Sequence, residues 1–222
     1  MKAPVNSGNG SSRQIAPEGA HVARCYQIID KGTTFDEKWG NKKRKVQFLF
    51  ELPMETAVFS EDKGEQPFYV KTVFNLSMGE KASLRKFVES WIGKKMTDKQ
   101  AGDFDIIKLL GHSCMVNIAH NGKDDRTYAN IMSISPLPKG MACPPAVNEL
   151  LSYDTTEHSD AVFNKLPDFL QEDIRKSDEW IARTTAKPAA VPAPKWESTT
   201  VTDEPDLDSL FANDSDGLPF YK

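Results

Sequence analysis

The chain has 222 residues, with 28 Lys+Arg against 32 Asp+Glu and a formal charge of −4 at neutral pH. Taken alone, that total argues against a polyanion-binding protein, and no apolar run approaches the roughly 18–20 residues of a membrane helix. Three widely spaced cysteines, Cys25, Cys114 and Cys143, with no Cys-x-x-Cys pair, exclude a disulfide framework and suit reduced thiols.

The net charge conceals a polarity. Residues 17–140 carry 19 Lys+Arg against 16 Asp+Glu, a net of +3, whereas residues 141–222 carry 7 against 16, a net of −9. An acidic tail on a mildly basic body is an interaction-tail pattern. Residues 1–10 are polar and lack the apolar centre of a signal peptide, so a cytoplasmic location is expected. The expected organisation is a disordered arm at 1–16, one domain at 17–140, a partly helical extension at 141–183, and a disordered linker with acidic tail at 184–222.

In chain order, residues 20–30 are β-branched and aromatic with partial alternation, and read as a strand ending at Asp30-Lys31-Gly32. Residues 31–45 read as a long charged loop. A second strand places Val46, Phe48, Phe50 and Leu52 on one face, and Pro53 is expected to end it. In a third strand, 67–76, Phe68, Val70, Thr72, Phe74 and Leu76 oppose Tyr69, Lys71, Val73 and Asn75. The period then changes. Ser77-Met78-Gly79-Glu80 matches a capping box, Leu84, Phe87, Val88, Trp91 and Ile92 recur at helical spacing, and Gly93 suits a C-cap. A short helical turn is expected within 97–110. Strands at 113–119 and 126–134 follow, joined through Asn121-Gly122, a strong hairpin signal. Five strands with a helix between the third and fourth is the layout of the oligonucleotide-binding (OB) barrel, so a mainly β fold of that kind is expected. Beyond 140 the best helix is 167–181, with a thin apolar stripe and no assigned role. Residues 187–195 are Ala/Pro-rich linker.

In such a barrel the loops joining strands one and two and strands four and five flank the binding face. Here the first is rich in cations (Lys38, Lys42, Lys43, Arg44, Lys45) and carries Phe35 and Trp39; the second region offers Lys123, Arg126 and Tyr128. Arg24, Tyr26, Tyr69 and Lys71 stand on the strands between. Cations can track phosphates while aromatic faces stack on unpaired bases, the mixture that single-stranded nucleic acid needs. Tyr26 and Tyr69 fit core or groove equally, and a lysine-rich loop is also compatible with simple solvation. No enzyme is expected: His21, His112, His120 and His158 lack metal-ligand spacing, and nucleophile-elbow, phosphate-loop and zincin motifs are absent. No metal or cofactor is expected either.

Pro17-Glu18-Gly19, Trp39-Gly40, Leu109-Leu110-Gly111, Tyr128-Ala129-Asn130-Ile131 and Ser135-Pro136-Leu137-Pro138 resemble bacteriophage single-stranded DNA-binding proteins with an OB fold, over roughly residues 17–140. The resemblance implies protection of single strands during phage DNA replication or recombination, in the cytoplasm of a bacterial host. A second resemblance lies in the tail, where Asp214, Asp216, Leu218, Pro219 and Phe220 look like the acidic, apolar tip by which bacterial single-stranded DNA-binding proteins recruit replication and repair enzymes. The chain departs from that pattern because Tyr221 and Lys222 follow Phe220. The alternative reading is a protein-interaction adaptor in a replication or recombination complex.

Overall fold

The computed structural model describes residues 14–185 other than 39, 124 and 125, and not the side chains of Lys123 and Arg126. Most of the expected arm, and the linker and tail from 186 onward, lie outside the described residues. The fold is mainly β. Strands β1 (Gly19–Asp36), β2 (Asn41–Ser60), β3 (Gly64–Asn75), β4 (Ser113–Lys123) and β5 (Arg126–Ser135) form a sheet in the order β3-β2-β1-β4-β5, and β6 (Leu151–Tyr153) pairs with β1. Helix α1 (Ser83–Ile92) follows β3, α2 (Asp98–Gly102) comes next, and α3 (Asp160–Phe163), α4 (Asp168–Arg175) and α5 (Asp178–Thr185) follow β6.

The long first strand organises the sheet. Its first part pairs antiparallel with β4 as far as Arg24, and from Arg24 onward it pairs with β2. Where β4 departs, Gln27–Ile29 take β6 as a parallel neighbour, which satisfies an edge otherwise left open. Two irregularities bend the strand. The register slips between Cys25 and Gln27, so Cys25 and Ile28 join the main core while Tyr26 and Ile29 turn to the opposite face.

The second irregularity, between Asp30 and Thr33, contains Gly32 at φ +72°. The expected strand end at Asp30-Lys31-Gly32 is therefore a bulge, and β1 continues to Asp36. The expected 31–45 loop is a two-stranded ribbon, with Thr33 opposite Arg44, Phe35 opposite Lys42, and a short turn before Asn41. Gly32 is required twice over. A Cβ there would lie 2.4 Å from the Ser177 Cβ, and Ser177 is fully buried between α4 and α5. Gly32→Ala should therefore lower stability by about 2 kcal/mol or more, combining left-handed strain with a clash between backbone-anchored atoms. Urea denaturation with an unchanged midpoint would show that β1 and α5 are not held this closely.

Alternation packs Val46, Phe48, Phe50 and Leu52 of β2 inward with Val70 of β3. Pro53 does not end β2. The ladder to β3 is interrupted between Leu52 and Thr56, so the missing proline N–H leaves no bond unmade there, and pairing resumes as far as Ser60. Helix α1 buries Leu84, Val88 and Trp91 on one face. Trp91 and Phe87 mesh with Phe48, Phe50 and Phe74 at ring separations of 4.7–6.5 Å, and the Trp91 indole N–H donates to the Ser113 carbonyl at 3.2 Å. Both α1 and β5 approach β3, although no ladder joins β3 to β5 among the described residues.

The helix begins later than the 77–80 motif predicts. Residues 77–82 turn instead, Ala82 occupies the N-cap without a side-chain bond, and the helix starts at Ser83. Gly79 would sit in the first turn of a helix capped by Ser77, where its backbone entropy opposes helix formation. A capping box does occur at α2, where Thr97 and Gln100 exchange bonds of 3.0 and 3.3 Å. Gly93 ends α1 in the left-handed conformation, as its sequence position predicts. Asn121 and Gly122 lie within β4, opposite Tyr128 and Thr127, so the hairpin reverses further along than the Asn-Gly signal predicts.

The segment 141–185 belongs to the same compact unit as the sheet. The single helix expected at 167–181 is two, α4 and α5, broken at Lys176-Ser177. Its apolar residues form a second core. Leu151, Tyr153, Phe163, Leu166, Leu170 and Ile174 cover Tyr26, Ile29 and Leu49 on the outer face of β1 and β2. Both faces of the central strands are thus buried. Glu51, on that outer face, is completely enclosed and accepts the Val147 and Asn148 backbone N–H groups and the Asn148 side-chain amide at 2.7–3.1 Å.

Candidate nucleic-acid interface

The second core redistributes the residues that the sequence places in one groove. Tyr26 is 7% exposed, inside that core, and burial, with the nearby Tyr69, Glu51 and Cys25, raises its hydroxyl pKa. It packs; no base can reach its face. The Arg24 guanidinium donates to the Gly111 carbonyl at 2.6 Å, to Pro144 at 2.7 Å and to Cys143 at 3.4 Å, tying the start of the C-terminal segment to β1.

The basic ribbon is engaged largely within the protein. Arg44 forms a fork on Asp30, with contacts of 2.6–3.2 Å, and reaches Asp154 at 3.2 Å. The Asp30 carboxylate also accepts the Gly32 and Thr155 N–H groups and the Thr155 hydroxyl. Burial raises the Asp30 pKa, but the bonds from Arg44 and Thr155 outweigh it and hold the group below its ordinary value. Lys42 pairs with Asp178 at 2.8 Å, Lys43 with Asp36 at 3.5 Å, and Lys45 lies 3.9 Å from Asp36. Lys31 reaches Asp173 of α4 at 2.7 Å, and Glu179 of α5 accepts both the N–H and the hydroxyl of Thr33. Carboxylates of the C-terminal helices thus meet the ribbon where phosphates were expected. Lys38 is exposed near the turn and Phe35 is 60% exposed beyond the paired cations. Trp39 lies outside the described residues.

The outer face of β3 is different. Tyr69, Lys71, Val73 and Asn75 alternate with inward residues and remain exposed, with Tyr69 at 47% and Val73 at 42%. Their β2 neighbours Glu51, Leu49 and Gln47 are buried, so the covered and open halves of this face meet along the β2–β3 ladder. Phe169, from α4, is 54% exposed at that boundary, and the Lys71 ammonium stands 5.6 Å from its ring centre. The thin apolar stripe expected along 167–181 includes Phe169 beside Leu170, Ile174 and Trp180. The outward turn of Phe169 follows from α4 burying Leu170, Gln171 and Ile174 instead, which periodicity over so short a helix does not specify.

On the β4–β5 ribbon Tyr128 is exposed opposite Asn121. Lys123 and Arg126 are backbone partners at its end, and their side chains lie outside the described residues. The tail residues Asp214, Asp216, Leu218, Pro219 and Phe220 also lie outside. A shallow depression lined by Lys94, Lys95, Lys99 and Lys108 borders α2, where Lys95 pairs with Glu89 at 2.8 Å.

Burial is the leading cause of raised pKa values at Cys25, Cys114 and Cys143, away from the thiolate form. His158 bridges the Tyr153 hydroxyl at 2.7 Å and Asp160 at 2.8 Å, bracing the second core. Among the described residues no group of three or more His, Cys, Asp or Glu side chains could hold a metal, and no helix is long and apolar enough to cross a membrane. No protein-family model and no curated protein matches the chain.

Proposed function

We propose that the chain is a sequence-independent single-stranded DNA-binding protein, in which β1–β5 make an OB barrel and DNA crosses the outer face of β3. The strand order and the position of α1 between β3 and β4 in the chain are consistent with that barrel, whose second and third strands carry ligand in OB proteins. The observation that carries the reading is the open row Tyr69, Lys71 and Val73, an aromatic face and a cation left exposed beside a covered half-face. Phe35, Lys38 and Tyr128 extend the exposed surface at the ribbons. Protection of single strands in phage replication or recombination, in a bacterial cytoplasm, and recruitment of partner proteins by the 214–220 tip complete the proposal.

Titration into a fluorescent oligo-dT at two salt concentrations, beside a duplex of equal length, tests it. Salt-sensitive binding confined to the single strand is expected. Lys71→Ala should reduce the salt slope by about 0.7, the contribution of one phosphate contact on a single strand. Tyr69→Ala should cost about 1–3 kcal/mol with the slope retained. Equal affinity for single strand and duplex would overturn the proposal in favour of a protein-interaction adaptor.

A further inference from the structure

We infer that α4 supplies a base-stacking residue, Phe169, so that the DNA site is built jointly by the sheet and the C-terminal segment; the inference rests on the single-strand reading above. Helix α4 has its buried face occupied: Leu170 and Ile174 are in the second core, and Gln171 donates to the Leu166 carbonyl at 2.8 Å. Phe169 points away from that core and leaves more than half of its surface in water. Leaving a phenyl ring there forgoes the burial that its neighbours obtain. The backbone that carries the ring is nevertheless anchored, because the residue after it is almost wholly enclosed and Lys31 holds the same helix through Asp173.

The position gives the ring a partner surface. Lys71 stands against it, and Tyr69 and Val73 flank Lys71 on the same face of β3, one pleat away on either side. Two exposed aromatic side chains near one cation supply the stacking surface and the charge that unpaired bases and their phosphates need. Charge fixes the orientation. Asp168 and Glu172 share α4 with Phe169 and repel phosphates, whereas Lys71 attracts them. A base therefore rests on Phe169 while the sugar-phosphate chain passes on the Lys71 side. Phe169 contributes stacking without contributing to the salt dependence. A lysine-flanked apolar patch that docks a protein would need only apolar contact at 169; the stacking site requires a π face.

The test uses the full-length protein, fluorescent oligo-dT and three substitutions at this exposed position. Phe169→Ala and Phe169→Leu should both weaken binding by about tenfold with the salt slope unchanged. Phe169→Trp should retain affinity and add tryptophan quenching on oligo-dT addition, beyond that of the wild type. Full affinity in the Ala and Leu variants, or a Trp variant with no added quenching, would overturn the inference while leaving single-strand binding by the wild type intact. Absence of oligo-dT binding by the wild type would overturn the function itself, and this inference with it. Circular dichroism melts matching the wild type would show that the affinity losses do not arise from unfolding.

Discussion

A chain ended after residue 140 should fail to give a soluble, cooperatively folding protein. The fragment retains β1–β5 but loses the cover over Tyr26, Ile29 and Leu49. It also loses β6, which exposes the Gln27–Ile29 edge as a template for strand addition by another copy. Polar groups are orphaned at the same time. Glu51 loses its three donors, Asp30 loses Thr155, and Arg24 loses the Cys143 and Pro144 carbonyls. Water can replace these partners once the cover is gone, so the loss of stability comes chiefly from the apolar surface bared on Tyr26, Ile29 and Leu49. Single truncations grade the effect: Leu170→Ala and Ile174→Ala, both at fully packed positions, should each cost about 2–5 kcal/mol. Size-exclusion chromatography and thermal melts decide the matter. A monomeric 1–140 fragment melting cooperatively near the wild-type temperature would show that the second core is dispensable.

Arg44→Ala should be the most damaging substitution in the basic ribbon, and for a reason unconnected with DNA. Asp30 is 6% exposed and accepts bonds from β1, β2 and the segment after β6, so removing the guanidinium strands a carboxylate in the interior. Breaking a buried pair by deleting one partner costs about 3–5 kcal/mol, and the partial exposure of Arg44 argues for the lower end. Lys42→Ala, whose Asp178 partner is on the surface, should cost under about 1 kcal/mol.

The pH dependence separates the two kinds of pair. Although burial raises the Asp30 pKa, the bonds from Arg44 and Thr155 lower it below 3.8 on balance. A depressed folded pKa means that the Asp30 contribution is fully present above the unfolded value near 4 and is lost as pH falls through the folded one. The wild type should therefore weaken in acid below about pH 4. In Arg44→Ala, burial acts without the guanidinium opposing it, the pKa rises, and protonation relieves the stranded charge. The deficit relative to wild type should accordingly shrink as pH falls from 7 towards 4, as followed by urea denaturation. A deficit independent of pH would mean that Arg44 stabilises by packing alone. Asp30→Asn in the Arg44→Ala background should recover part of the loss at neutral pH.

Much of the local structure follows from patterns that chain chemistry imposes over a few residues. The period-two runs through Phe48–Leu52 and Phe68–Phe74 determine which side chains meet α1, because alternation is a property of the pleat itself. The 3.6-residue recurrence of Leu84, Val88 and Trp91 specifies the helix, and Gly93 its end. Even Tyr69, Lys71 and Val73 on the open face of β3 can be read from alternation, once the opposite face is known to be apolar.

Other features depend on segments distant in the chain. Nothing near Asp30-Lys31-Gly32 distinguishes a strand end from a bulge; the choice follows from pairing Thr33 with Arg44 and from the approach of Ser177. Ser77 and Glu80 match a capping box in sequence, yet the turn out of β3 and Gly79 favour a later start, while Asn121-Gly122 yields to a ladder that continues past it. The basic ribbon reads as a phosphate site until Asp154, Asp178 and Glu179, more than a hundred residues away, meet it. Tyr26 is open to groove or core until the second core covers it, and the same packing turns Phe169 outward. Composition and periodicity therefore determine which residues are apolar or charged and how they alternate within each element. Partnership is decided only by the tertiary structure, because an ion pair or a covered face depends on spatial proximity that no local period encodes.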